Sequence, residues 1–184
     1  MTVAVGARFC PRCAAGLAGP PPTRCGACGY ALYVNPRPTG SVIIVGGDTF
    51  LDACERNQHY FLALRRAREP QCGRWALPGG FCDGWEHPRD TAVREAREEL
   101  GLEVRLDHFV GMYLGEYAYQ DELLPVLDCF WLASIVSGHL RPDPVEASEH
   151  GWFPLADPPV LAFETMNRAM PDARARLEGI AAGN

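Results

Sequence analysis

Apolar residues recur along this chain in two rhythms. In residues 90–100, Ala92, Val93, Ala96 and Leu100 fall on one arc at about 100° per residue, the period of a helix. Pro88 suits the first turn and Gly101 the stop, so one uninterrupted helix is expected between them. Elsewhere the rhythm belongs to strands. Residues 41–45 read as a buried strand and 60–65 as a second, with 46–59 a longer connection than such neighbours need. Residues 104–119 and 124–136 read as long strands turning at Gln120-Asp121, and 152–154 as a short one. Asp157-Pro158-Pro159 opens a C-terminal helical region that Pro171 is expected to break. No internal repeat is visible. Strands with helices before and after them predict an α/β fold with a mixed sheet between helices.

The polar face of the 90–100 helix is unusual. Glu95, Glu98 and Glu99 stand at i, i+3 and i+4, so three carboxylates share an arc beside the apolar one, with Arg94 and Arg97 further round. Carboxylates this close repel unless a cation sits among them, and clustered oxygen ligands favour Mg²⁺ or Mn²⁺. A solvated acidic face is the alternative. Gly80, Glu86 and Gly101, at their spacings from the cluster, weigh against it.

Near the front, Cys10-Pro-Arg-Cys13 and Cys25-Gly-Ala-Cys28 form two CxxC pairs joined by a short Gly/Pro-rich run. This reads as a tetrahedral four-cysteine site for a structural Zn²⁺. So small a segment has no core of its own, and metal binding would supply its folding free energy. Disulfides or a redox CxxC are the alternative. The opening residues lack a basic stretch followed by an apolar one, so a reducing, cytoplasmic setting and zinc are expected. Cys54, Cys72, Cys82 and Cys129 lack ligand-like spacing and read as free, mostly buried thiols.

Residues 80–102, GFCDGWEHPRDTAVREAREELGL, resemble the Nudix box, G-x5-E-x7-R-E-U-x-E-E-x-G-U, with U a bulky apolar residue. Every fixed position is present, although the first U is the small Ala96. Trp75 to Gly80 resembles the run that leads into the box. The resemblance implies an α/β/α sandwich over residues 36–170, with Mg²⁺- or Mn²⁺-dependent attack of water on the diphosphate of a nucleoside diphosphate derivative. It implies that Glu95, Glu98 and Glu99 hold the metal with the Gly80 carbonyl, that Arg94 fixes a carboxylate rotamer, and that Glu86 plays a supporting part. Gly79 and Gly80 fit a turn where backbone approaches metal and phosphate closely. The general base would come from Glu146 or Glu149, which are otherwise ordinary loop carboxylates. Trp75, Phe81, Tyr117 and Tyr119 are candidates to line or stack on a base, with core or sheet surface as the alternative for each.

The order CxxC, CxxC, Tyr33-Val34-Asn35-Pro36-Arg37, strand, box resembles zinc-ribbon Nudix hydrolases, a group including NADH pyrophosphatases and enzymes acting on FAD and ADP-ribose. It divides the chain into a ribbon at 1–34 and a Nudix domain at 35–184. Two departures matter. No SQPW-type array follows the box, and the proline that marks many ADP-ribose hydrolases would fall near Tyr117, whereas the nearest is Pro125. The implied reaction is cleavage of FAD, ADP-ribose or an NAD(H)-like dinucleotide to a mononucleotide and a phosphorylated partner. The alternatives are hydrolysis of nucleotide-capped RNA, or a nucleotide-sensing protein whose ribbon contacts a partner. Many members of such a group pair as homodimers.

Composition changes this picture little. At 184 residues and 47% hydrophobic content the chain can bury one core plus a small appendage. No apolar run reaches membrane-spanning length. The net charge of −6 argues against general nucleic-acid affinity, yet residues 1–47 carry Arg8, Arg12, Arg24 and Arg37 and no acidic side chain. A small-molecule nucleotide is therefore favoured as partner over nucleic acid.

Overall fold

The computed structural model describes residues 7–46, 59–120 and 122–181. Cys54 and most of the 46–59 connection lie outside them. The chain opens with a hairpin of β1 (Thr23–Arg24) and β2 (Ala31–Leu32). A four-stranded mixed sheet follows, ordered β6 (Gly79–Phe81), β3 (Arg37–Ile44), β8 (Glu122–Gly138), β7 (Leu102–Tyr119). Only the β3–β8 pairing is parallel. A three-stranded antiparallel sheet, ordered β5 (Trp75–Ala76), β4 (Tyr60–Arg66), β9 (Ala147–Pro154), meets it through a bridge between Val45 and Phe61. Among the described residues the helices are α1 (Pro88–Leu100) and α2 (Glu164–Ala181).

Alternation along β3 and β4 makes the layers. Val42, Ile44, Leu62 and Leu64 pack with Ala92, Ala96 and Leu100 of α1. Ile43, Phe61 and Ala63 point the other way, to Met166, Ala169, Met170 and Ala173 of α2. The result is an α/β/α sandwich, as the resemblance implies. α1 has the termini expected of it: His87 caps the start, Pro88 stands in the first turn, and Gly101 closes the end with φ 68°.

Several local expectations are corrected. α2 starts at Glu164, beyond the prolines, and runs through Pro171 unbroken. The residues buried on either side of Pro171 hold the helix to the core, outweighing one missing backbone bond. β3 begins at Arg37 rather than 41. Pro38 is tolerated in it because its carbonyl, which needs no N–H, accepts from Cys82 N at 3.1 Å. β9 begins at Ala147 because β4 offers it a partner along its whole length. Gly79 and Gly80 lie in an edge strand, not a turn.

The cysteine segment holds a repeat that the residue order hides. Cys10 N donates to Ala15 O and Ala14 N to Cys10 O; fifteen residues on, Cys25 N donates to Tyr30 O and Gly29 N to Cys25 O. Ala14 and Gly29 both take left-handed backbone, φ 59° and 72°. Two copies of one turn thus face each other, sharing little besides cysteine.

Gly40 of β3 sets how closely α1 approaches the sheet. A Cβ there would collide with the Pro88 carbonyl and stand 2.7 Å from Ala92 N. Gly40→Ala should lower stability by about 3 kcal/mol or more, because both obstacles are backbone that cannot move aside. Thermal or urea unfolding of the purified variant checks this.

Candidate active site

Local geometry brings the acidic helix face to one cavity. Edge strand β6 ends beside the first turns of α1, and a Cβ on Gly80 would collide with the Glu95 carboxylate. Gly79 N donates to Glu99 Oε2 at 3.0 Å. The two glycines leave room for carboxylates rooted on the α1 side to enter a cavity that opens on the α2 side.

That cavity, of about 210 Å³, is lined by Glu95, Glu99, Glu146, Arg66 and Arg68 and by an aromatic wall of Phe81, Tyr117 and Phe163. Phe81 meets Tyr117 edge-on at 5.2 Å, Tyr117 lies 5.4 Å from Phe163, and the Arg66 guanidinium stands over Phe163 at 5.1 Å. A drug-sized ligand usually occupies about 300–1,000 Å³. This cavity encloses only part of a dinucleotide. An adjoining cleft shares Arg68, Phe81 and Tyr117 with it and continues past Tyr119 and Leu123.

Arg94 organises the acidic residues. Its Nε and NH2 donate to the two oxygens of Glu86 at 3.0 Å each, and NH1 donates to Glu95 and Glu98 at 2.8 Å each. The last N–H reaches the Phe81 carbonyl at 3.2 Å. All five guanidinium donors are therefore committed. Glu86 also accepts from Asp83 N and Thr91 Oγ1, and the Arg94 guanidinium above all holds its carboxyl down to about 2. With its oxygens so occupied, Glu86 is a support for Arg94.

Glu99 lacks such a cation. Burial first, then the neighbouring Glu95 charge, pushes its carboxyl up to about 8 against the Gly79 amide, and burial raises Glu95 as well. A divalent cation between them would reverse both shifts, so the donor set fits a hard metal. Glu98 stands at the rim, its side chain 58% exposed and outside the cavity wall.

The other sequence candidates divide. Glu146 lines the cavity and pairs with Arg68 at 2.5 Å. Glu149 lies on the outer register of β9, paired with Arg65 at 3.1 Å. Tyr117, Phe81 and Gly79 line the cavity, and Tyr119 lines the adjoining cleft. Trp75 packs edge-on against Phe153 at 4.7 Å, within the core and off the cavity wall. Arg66, Arg68, Phe163 and Asp128 also line the cavity without having been singled out in the sequence. The signals were the arginine run at 65–68 and one charge inside the apolar stretch LPVLDCFWL.

At the other site, Cys10 Sγ lies 3.7 Å from Cys28 Sγ and Cys13 Sγ 3.6 Å from Cys25 Sγ, and all four sulfurs lie within 4.8 Å of one another. Ligands at a Zn–S distance of about 2.3 Å in a tetrahedron stand about 3.8 Å apart, so the cluster fits one Zn²⁺. None of the four is in a disulfide. The amides of Cys28 and Ala27 hold the Cys25 thiol down to about 7.

Two outcomes follow. Arg94→Lys offers at most three donors in place of five, so it should cost about 3 kcal/mol in unfolding free energy and lower turnover about 100-fold by freeing Glu95. Denaturant unfolding and steady-state kinetics measure these. For Glu99 the folded-state carboxyl is raised from 4.5 to about 8, so the folded state holds the proton longer than the unfolded chain. Its contribution to stability is full below about 4.5 and is lost as pH rises towards about 8. Melting in EDTA should show that loss, and Mg²⁺ or Mn²⁺ should restore most of it at pH 8 and little at pH 5.

A family model described as NUDIX domain matches residues 49–174, well over half of the chain. An ADP-ribose pyrophosphatase of Methanocaldococcus jannaschii is 27% identical over 135 residues, covering 73% of this chain and 72% of the relative. An NAD-capped RNA hydrolase NudC of Pseudomonas fluorescens is 27% identical over 169 residues, covering 90% of this chain; the chain spans only 55% of that relative's length. Among solved structures, a NUDIX hydrolase from Nitrosomonas europaea superposes with a TM-score of 0.67 over 89% of this chain and 88% of its own, at 21% identity. A MutT NUDIX hydrolase from Burkholderia pseudomallei gives 0.58 over 75% of this chain and 98% of its own, at 27% identity. Sandwich, box and family model agree: the chain belongs to the NUDIX domain family.

Proposed function

We propose that this Nudix pyrophosphohydrolase cleaves the diphosphate of an ADP-ribose-, FAD- or NAD(H)-like dinucleotide to a mononucleotide and a phosphorylated partner, using Mg²⁺ or Mn²⁺. One observation carries the reading: carboxylates on one wall and clustered aromatics on another share a single cavity, with Arg66 and Arg68 beside them. A base fits the aromatics, a diphosphate fits the arginines, and a cation fits the acids. The names of the relatives support the same substrate class.

Glu95, Glu98 and Glu99, with the Gly80 carbonyl, would hold the divalent ion. When bound, it supplies neutralisation of diphosphate charge and acidifies a coordinated water. The protein's own part is positional. Arg94 fixes Glu95 and Glu98, and Gly79 N fixes Glu99. Arg66 and Arg68 orient the diphosphate. Glu146, on the cavity wall, is better placed than the outward Glu149 to take a proton from the attacking water. The four cysteines would hold structural Zn²⁺ in a ribbon at residues 1–34, ahead of a catalytic domain at 35–184. Homodimer assembly belongs to the same reading: Phe109, Met112, Leu114 and Val136 leave apolar surface exposed on β7 and β8. A cytoplasmic setting belongs to it too; among the described residues no helix is long and apolar enough to cross a membrane.

A second reading, hydrolysis of nucleotide-capped RNA, is favoured by the match to an NAD-capped RNA hydrolase over 90% of the chain, together with the acid-free stretch at residues 1–47. Cysteine-segment variants that weaken RNA turnover but spare small dinucleotides would select it. A purely sensing role has no use for the full set of box carboxylates.

The test is a panel with Mg²⁺ of FAD, ADP-ribose, NADH, NAD and an NAD-capped oligoribonucleotide, with products resolved by chromatography. AMP should appear from at least one dinucleotide. Glu98→Gln should abolish its release while keeping the melting temperature within a few degrees. Undiminished activity in that variant sinks the metal assignment.

A further inference from the structure

Asp128 is the one charged residue in the apolar middle of β8, between Leu127 and Cys129 and ahead of Phe130, Trp131 and Leu132. A charge set among apolar side chains is costly unless it is paired. Among the described residues Asp128 has no ion-pair partner within 4.0 Å. Instead, Thr39 Oγ1 donates to its Oδ1 at 2.7 Å and Thr165 Oγ1 to its Oδ2 at 2.5 Å. Both threonines are buried, at 7% and 2% exposure, where valine would fill the same space without holding a carboxylate. β7 gives way for this arrangement too, since a Cβ on Gly115 would run into the Thr165 methyl at 2.5 Å. Three elements are thus fitted around a carboxylate that has no salt-bridge partner among the described residues.

The carboxylate lines the same cavity as the aromatic wall. Phe81 pairs with Thr39, and Thr39 with Asp128, in one rung across β6, β3 and β8, so all three side chains project from one face. Asp128 and Phe81 are two strand spacings apart, about 10 Å between backbones, and Tyr117 and Phe163 close the side. An ionised carboxylate only accepts hydrogen bonds, and about two of its four lone-pair positions remain after the threonines. Because both threonine hydroxyl protons are spent on Asp128, this group of three side chains offers acceptors and no free donor.

We propose that Asp128 is a specificity-determining residue: it accepts from the exocyclic amino group of the nucleobase, so that the cavity takes amino-bearing bases over their oxo counterparts. The inference rests on the reading of the cavity as a nucleotide site. It adds which edge chemistry the base must present. An amino group meets an acceptor; a carbonyl oxygen at the same place meets a carboxylate oxygen and leaves both unsatisfied.

The test measures binding rather than turnover, by calorimetry of the full chain with two mononucleotide pairs that each differ by amino against oxo, AMP with IMP and CMP with UMP. The amino member of each pair should bind at least about tenfold more tightly. Asp128→Asn should bring each ratio within about twofold, and Thr165→Val, which keeps shape while removing one donor, should reduce it part-way. Equal binding within the wild-type pairs overturns the proposal, as does failure to bind any of the four, or a ratio unchanged in either folded variant. Dinucleotide hydrolysis is assayed separately on the same preparations. An amino preference without hydrolysis would sink the pyrophosphatase reading and keep this one; hydrolysis without the preference would do the reverse.

Discussion

One guanidinium makes the acidic face of α1 compatible with folding. Glu86, Glu95, Glu98 and Glu99 lie within fourteen residues of sequence, and like charges so close repel at any dielectric a protein offers. Arg94 faces three of them with four of its five donors, and the fifth, to the Phe81 carbonyl, ties the group to edge strand β6. A lysine, as a point charge on a flexible stem, could not reach loop, helix and strand together. The arrangement neutralises Glu86 well and Glu95 partly. Glu99 stays largely uncompensated on the far side. The cost of ionising the acids is thus concentrated where a cation would sit, and Arg94 decides that position.

Backbone without side chains performs the second task. α1 packs on one face of the sheet and the cavity opens on the other, so its carboxylates must pass the sheet's edge. Gly40 lets the helix come close, and Gly80 clears a path for Glu95. Gly79 then supplies the amide that meets Glu99. Any side chain at these positions would hold helix and edge strand apart and take the acids out of reach of Arg66, Arg68 and the aromatic wall.

What was legible in the sequence follows from how far apart the contributing residues stand. The box could be read because Gly80, Glu86, Arg94 and the glutamates are joined by local spacing on one helix and its approach. Long strands at 104–119 and 124–136 were readable from alternation, and β7 and β8 extend only a few residues beyond them. Phe163 and Arg66 meet through packing of a loop on a strand, and Asp128 joins the cavity through a strand register that no local pattern encodes. Pro171 misled because a breaker's local cost was weighed without the tertiary contacts that override it. The duplicated cysteine turn stayed hidden because its second left-handed residue is Ala14 where the other copy has Gly29. Trp75 and Glu149 show the opposite limit. Sequence neighbourhood put them near the site, and strand direction turned one into the core and the other outward.

The two metal sites proposed here differ in chemistry as their surroundings require. Four sulfurs spaced for a tetrahedron leave no open position, and such a site can only hold structure together. The carboxylates are arranged the opposite way: Glu95 and Glu99 border a cavity, with a further acid and two arginines across it. A hard cation there would keep positions free for water and phosphate. Soft ligands closed around zinc and hard ligands open to substrate also keep the ions from exchanging roles, since thiolates bind Mg²⁺ poorly. The same separation bears on the arginines. Four thiolates on one dication would keep a net charge of about −2, which would offset two of the three arginines in residues 1–34, Arg8, Arg12 and Arg24. The cysteine segment would then be only mildly basic, with little of the charge density that holds a long polyanion to a surface.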